Sequence, residues 1–267
     1  PPRSTLFPYT TLFRSGYGEK TISRAGFITG SPAQYQELPQ EFQGKRLNEF
    51  RKENPILTKR VACFIFPHFN RDNKLWSLTI APVFKGQTEL ENNSRYASEE
   101  TPKSYKLKGA KAVMDGLEDL SADERLLSIT EGIKDADSIR ALGGKAVATL
   151  GGVSRDQAGI INSLGLIEIR LCYDADSAGR GKTRNAIGYF SRAKVSVLDL
   201  PEGRDPNDLS PEELGKCSLL APDKWAVKYG IQLNSNENTE DTSKQHIIEP
   251  VADRKSTRLN SSHVLIS

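Results

Sequence analysis

At 267 residues, 37% hydrophobic and 27% charged, the chain has a globular composition with room for a sizeable apolar core. No stretch approaches the roughly 20 apolar residues of a membrane span, and no signal-peptide pattern opens the chain. Cys63, Cys172 and Cys217 stand too far apart for a disulfide framework or a C-x-x-C zinc site. These features fit a cytoplasmic protein with no membrane partner and no zinc in this fragment.

The formal charge of +3 misleads. Residues 1–15 (PPRSTLFPYTTLFRS) and 254–267 (RKSTRLNSSHVLIS) resemble translated sequencing-adapter read-through, and both are set apart as artefactual tails. They hold five basic residues and no acidic ones, which leaves 32 basic against 34 acidic residues in the remainder. Residues 16–120 carry 16 basic and 13 acidic residues, and 121–253 carry 16 and 21, so a mildly basic front half meets an acidic back half. The native chain is expected to continue on both sides.

In chain order, a helix is expected near Glu41–Lys52, then strands over Arg60–Phe66 and Leu75–Phe84. The polar turn Asn70–Lys74 joins them as an antiparallel hairpin. Gly86–Glu100 reads as a polar loop and Thr101–Lys111 as a lysine-rich stretch. The pattern then changes. Strands are expected over Arg125–Thr130, Ala146–Leu150, Ile167–Tyr173 and Val195–Leu200. Helices fall between them over Asp135–Leu142, Ser154–Leu164 (Ser154 as N-cap) and Ala178–Phe190. This alternation predicts right-handed βαβ units, a parallel sheet and helices on both faces. The expected divisions are an α+β basic subdomain over 16–120, an α/β domain over 121–215, a helical extension over 216–232 and a polar linker with the tail over 233–267.

Ligands of open α/β sheets gather beyond the carboxyl ends of the strands, and acidic residues follow three of these strands. The first delivers Glu131-Gly132 with Asp135 one turn on, and the third delivers Asp174-Ala175-Asp176. After the fourth comes Gly203-Arg204-Asp205-Pro206-Asn207-Asp208. Carboxylates converging on one edge repel each other unless cations lie between them. Hard oxygen donors favour Mg²⁺ or Mn²⁺, and a metal pair can activate an attacking oxygen and stabilise a leaving pyrophosphate.

Thr130-Glu131-Gly132-x-x-Asp135, Asp174-x-Asp176-x-Ala178-Gly179-Arg180 and Gly203-x-Asp205-Pro206 resemble the successive motifs of the Toprim domain. The version is that of bacterial-type DNA primases and their phage and plasmid relatives. Arg60-Val61, Phe66-Pro67, Thr101-Pro102-Lys103 and Asp115-Gly116-Leu117 resemble the basic subdomain that precedes Toprim in primases. The resemblance implies a Toprim-like Rossmannoid sheet behind a smaller α+β subdomain. Its implied activity is RNA primer synthesis from ribonucleoside triphosphates on a single-stranded DNA template, with a replicative helicase as partner. It implies catalytic roles for Glu131, Asp135, Asp174 and Asp176, and metal binding by Glu131, Asp174, Asp176 and Asp205. Asn207 stands where many primases carry a second aspartate, and Asp208 beside it is the substitute.

Lys103, Lys106, Lys108 and Lys111 form a basic strip interleaved with Tyr105. Such a strip either tracks a template backbone or deters strand pairing at a sheet edge, and the resemblance favours the template. Arg60 and Arg71 are weaker candidates. Arg180 and Lys182, with Arg184, lie on the helix after the D-x-D motif and are candidates for nucleotide phosphates. Gly181-Lys182-Thr183 imitates the end of a P-loop, but Asp176 stands where that pattern needs glycine, so an ATPase is excluded. His68 and His246 read as isolated, and Tyr173 as packing. The competing functions are a Toprim nuclease or topoisomerase-type cleavage module, and a non-catalytic nucleic-acid-binding Toprim module.

Overall fold

The computed structural model describes residues 17–28, 62–83, 105–106, 112–190 and 192–233. The expected helix at 41–52, the loop at 86–100 and the polar linker lie outside these residues, as do Arg60, Lys103, Lys108, Lys111 and His246.

The first part opens with helix α1 (Glu19–Arg24) and continues into a four-stranded antiparallel sheet. Its strands are β1 (Gly26–Ile28), β2 (Ala62–Phe69), β3 (Leu75–Val83) and β4 (Tyr105–Lys106), hydrogen-bonded in that order. The expected hairpin is there as β2–β3. Asn70 builds its turn: the side-chain Oδ1 accepts from Asp72 N at 3.0 Å and Lys74 N at 2.9 Å, and Asn73 adopts φ 57°. Strand β2 runs three residues beyond the expected Phe66, through Pro67 and His68. The one described lysine of the basic strip, Lys106, lies on β4 opposite Thr79.

The second part is a five-stranded sheet. Its elements are β5 (Leu126–Thr130), α2 (Ile133–Ala141), β6 (Ala146–Ala148), α3 (Arg155–Asn162), β7 (Glu168–Cys172), α4 (Ser177–Ile187), β8 (Lys194–Asp199), α5 (Pro211–Lys216), β9 (Ser218–Leu220) and α6 (Pro222–Tyr229). The order is β6-β5-β7-β8-β9, with the first four strands parallel and β9 antiparallel on the edge. All four expected strands and three expected helices are present within a few residues of their expected ends. One correction concerns the stretch 216–232. It contributes β9 to the sheet before the expected helix begins as α6, because three residues carry too little periodicity to announce a strand.

Alternation along the strands splits the core. Leu127, Ile129, Val147, Ile169, Leu171 and Val197 face one side, where they pack with Ala158 and Ile161 of α3, Ala186 of α4 and Trp225 of α6. On the other side Ala146, Ala148 and Cys172 meet Ile133, Ala136 and Ile139 of α2 and Leu214 of α5. Phe64 and Phe66 of β2 and Ile22 of α1 join this second cluster, so the first sheet is packed on the α2 side. Helix α3 starts where its cap dictates: Ser154 Oγ accepts from Gln157 N, and Gln157 Oε1 accepts from Ser154 N at 2.8 Å.

Candidate active site

Strand β5 lies between β6 and β7, so the connection through α2 leaves β5 to one side and the chain later returns on the other. That reversal opens a crevice beyond the carboxyl ends of β5 and β7. The two strands are in register with Thr130 beside Cys172, which delivers Glu131 and Asp174 to the crevice from adjacent strands.

Backbone hydrogen bonds bring in the third acidic segment. Ala175 N donates to Arg204 O at 2.8 Å, and Gly203 N donates to Ala175 O at 2.9 Å, fastening the loop after β8 to the D-x-D loop. Asp135, buried on the first turn of α2, accepts from Gly132 N at 3.0 Å, and the nearby backbone of Asn207 favours its charged form. Asp205 caps the short 3₁₀ turn Pro206–Asp208, accepting from Asp208 N at 2.8 Å, while Asp208 Oδ2 accepts from Asp205 N at 3.3 Å. Asp176 caps α4 through Gly179 N at 2.6 Å.

The carboxylates act on one another. Burial, with the charges of Asp205 and Asp174, pushes the Asp135 carboxyl up to about 7. Burial together with Glu131, Asp205 and Asp176 pushes Asp174 up to about 6. Asp205 is raised by burial and then by Asp208. Glu131, Asp135, Asp174, Asp176 and Asp205 therefore occupy one electrostatic neighbourhood, although they come from three strand ends. Among the described residues, no group of three or more acidic, histidine or cysteine side chains is arranged to hold a metal ion as it stands. The site nevertheless suits a divalent cation. Its donors are hard oxygens, Asp174 Oδ1 is buried without a hydrogen-bond partner, and a lysine ammonium already stands among the carboxylates.

That ammonium is Lys182 Nζ, 2.5 Å from Glu131 Oε2. Arg180, the other phosphate candidate, grips Glu202 with both terminal nitrogens at 2.8 and 2.9 Å and lies over the Tyr229 ring. Arg184 is exposed on α4, and Arg71 is exposed in the β2–β3 turn. The P-loop look-alike is helical: Gly181-Lys182-Thr183 lies within α4, and Thr183 Oγ1 donates to Gly179 O. Tyr173 is buried, with its hydroxyl 3.4 Å from Thr149 Oγ1.

His68 corrects the reading of an isolated histidine. It is buried, with Nδ1 3.2 Å from Asp115 Oδ1 and Nε2 2.8 Å from Thr79 Oγ1. Its partners are 47 and 11 residues away, beyond the reach of any local pattern. Beside it opens a cleft of about 390 Å³ between β3, Val113, the loop after β6 and the start of α3. Leu150 and Gly151 line that loop at φ 58° and 138°, and Gly151 N donates to Glu131 O at 3.2 Å, so the cleft adjoins the carboxylate crevice.

Residues 128–210 match the family model described as Toprim-like. No curated protein matches the sequence. Among solved structures, the chain is similar to the Aquifex aeolicus primase (zinc-binding and RNA polymerase domains). The TM-score is 0.57 at 18% identity, covering 81% of this chain and 57% of that one. Against the E. coli primase catalytic core the TM-score is 0.58 at 17% identity, covering 84% and 76%. A DnaG primase catalytic domain bound to single-stranded DNA gives 0.56 at 17% identity, covering 82% and 76%. No helix among the described residues is long and apolar enough to cross a membrane. Residues 128–210 of this chain form a Toprim-like domain, carried on a fold shared with primase catalytic cores.

Proposed function

We propose that the chain is the catalytic part of a DNA primase, joining ribonucleoside triphosphates into RNA on a single-stranded DNA template in the cytoplasm. The observation that carries this reading is the meeting of Glu131, Asp174 and Asp205 at the switch point of a parallel sheet, with Asp135 behind them. Glu131, Asp174, Asp176 and Asp205 would hold Mg²⁺ or Mn²⁺, with Asp208 beside Asp205 in place of the acid missing at Asn207. The ion, when bound, supplies charge to stabilise the attacking 3′-oxygen and the leaving pyrophosphate.

The chain's own residues do the rest. Glu131, at a strand end on the rim of the crevice, would orient the attacking group or accept its proton. Asp135, on the first turn of the helix that packs against the Pro206–Asp208 turn, would position the third acidic segment. Lys106, on β4 of the first sheet, would bind the template backbone, together with its sequence neighbours Lys103, Lys108 and Lys111 and with Arg60. Contacts to phosphate by such lysines are salt-sensitive. A replicative helicase, in the same polypeptide or in another, is the proposed partner.

The test is incorporation of labelled ribonucleotides on single-stranded DNA with Mg²⁺. Synthesis is expected from the wild-type chain and is abolished in Glu131→Gln and Asp174→Asn. Robust synthesis by both variants overturns the assignment. DNA cutting with metal alone, without nucleoside triphosphates, would move the chain to the nuclease class. Salt-sensitive DNA binding with no metal-dependent chemistry would leave a binding module.

A further inference from the structure

We propose that Lys182 is an internal counter-cation of the carboxylate crevice, one that a divalent metal ion must displace from Glu131. The inference rests on reading the crevice as a metal site and concerns how that site is regulated.

Lys182 Nζ sits 2.5 Å from Glu131 Oε2, and the two side chains are only 30% and 27% exposed. Water therefore screens the pair less than it would on an open surface. The same ammonium acts on Asp174 and opposes the charge of Glu131 there, so it stands in the field of both strand-end carboxylates. The lysine stem is laid against bare backbone. A Cβ at Gly152 would stand 3.4 Å from Lys182 Cγ, at ordinary van der Waals distance, so the stem runs alongside the loop after β6. Lys182 springs from α4, whose N-terminus is capped by Asp176 of the same acidic motif, and its backbone is thus held rigidly beside the crevice.

A single positive charge and a divalent ion repel each other strongly when they compete for one carboxylate oxygen. Metal binding at Glu131 therefore works against Lys182, which raises the metal concentration needed to fill the site. The carboxylates are spared an uncompensated state in either condition. Lys182 neutralises part of their charge before the ion arrives, and the ion does so afterwards.

The experiment is a Mn²⁺ titration of the full chain, following free Mn²⁺ by electron paramagnetic resonance. The proteins are wild type, Lys182→Met, Lys182→Gln, Lys182→Arg and Glu131→Gln, each checked for a folded circular-dichroism spectrum. Lys182→Met and Lys182→Gln are expected to bind Mn²⁺ about tenfold more tightly than wild type, and Lys182→Arg to stay within about threefold of it. Unchanged or weaker Mn²⁺ affinity in both neutral variants overturns the proposal. If Glu131→Gln weakens Mn²⁺ binding in the same series, the metal-site reading survives that failure. If Glu131→Gln binds Mn²⁺ as wild type does, Glu131 is no ligand and both readings fall.

Discussion

Arg140 holds Asp115 with both terminal nitrogens, Nη1 and Nη2 each 3.1 Å from Oδ2. The guanidinium also reaches Asp137 Oδ1 at 2.8 Å and the carbonyls of Asp115 and Ala146. Asp137 in turn accepts from Gly18 N at 2.8 Å and Thr21 Oγ1 at 3.0 Å, and Asp115 contacts His68 of β2. One arginine on α2 thus joins the five-stranded sheet, the amino-terminal helix and the four-stranded sheet. Removing its charge would strand two largely buried carboxylates. Arg140→Met is expected to destabilise the chain by about 3 kcal/mol, read from urea unfolding.

Asp115 makes the same network pH-sensitive. Burial raises its carboxyl, but the His68 hydrogen bond and the Arg140 charge outweigh burial and hold it below its ordinary value near 3.8. A carboxyl lowered in the folded state adds stability above that ordinary value and loses it as pH falls through the folded one. Asp115→Asn should therefore be less stable than wild type at pH 6, with the difference shrinking below about pH 4. Urea midpoints measured at pH 6, 4 and 3 check this, and a gap that stays constant refutes it.

Two glycines only two residues apart, Gly179 and Gly181, separate packing from propensity. At Gly179 a Cβ would lie 2.0 Å from Asp174 O and 3.0 Å from Asp174 N, a collision with the backbone that presents the D-x-D motif. At Gly181, in the same helix, a Cβ would meet nothing within 4 Å. Gly179→Ala is expected to displace the Asp174 loop and abolish nucleotide incorporation. Gly181→Ala is expected to stabilise the chain by up to about 1 kcal/mol, because alanine is the better helix former. Thermal melts and the incorporation assay distinguish the two.

Asp174 illustrates stability given up at a site. Its Oδ1 is buried without a partner, and burial and neighbouring carboxylates raise it to about 6. Above that pH the charge is forced on an unfavourable setting. In metal-free buffer at pH 8, Asp174→Asn should melt higher than wild type, by roughly 1 kcal/mol of stability, while synthesis is lost. Added Mg²⁺ should stabilise the wild type and leave the variant nearly unmoved, since a ligand stabilises only the form that binds it. A variant that melts below wild type without metal contradicts the crowding argument.

Local patterns made the back half of the chain legible. The short apolar runs at Leu126–Thr130 and Glu168–Cys172 alternate with helix-length segments, which marks them as strands of βαβ units, and Ser154 marks its helix start because capping acts over three residues. Spacing also placed Glu131, Asp174 and Asp205 after separate strands, and the parallel sheet then put those strand ends on one edge. Strand β9 escaped because three edge residues pair through backbone atoms and carry no periodicity of their own.

The amino-acid sequence by itself determined which acidic residues reach the rim, since hydrophobic period and turn chemistry are written over a few neighbouring positions. Only the tertiary structure decided what each one faces. Glu131 meets Lys182 across 51 residues, and Asp115 meets His68 across 47 and Arg140 across 25. Those meetings follow from strand order and from how the first sheet packs on α2, and charges separated so far along a chain leave no local trace of the partner they will find.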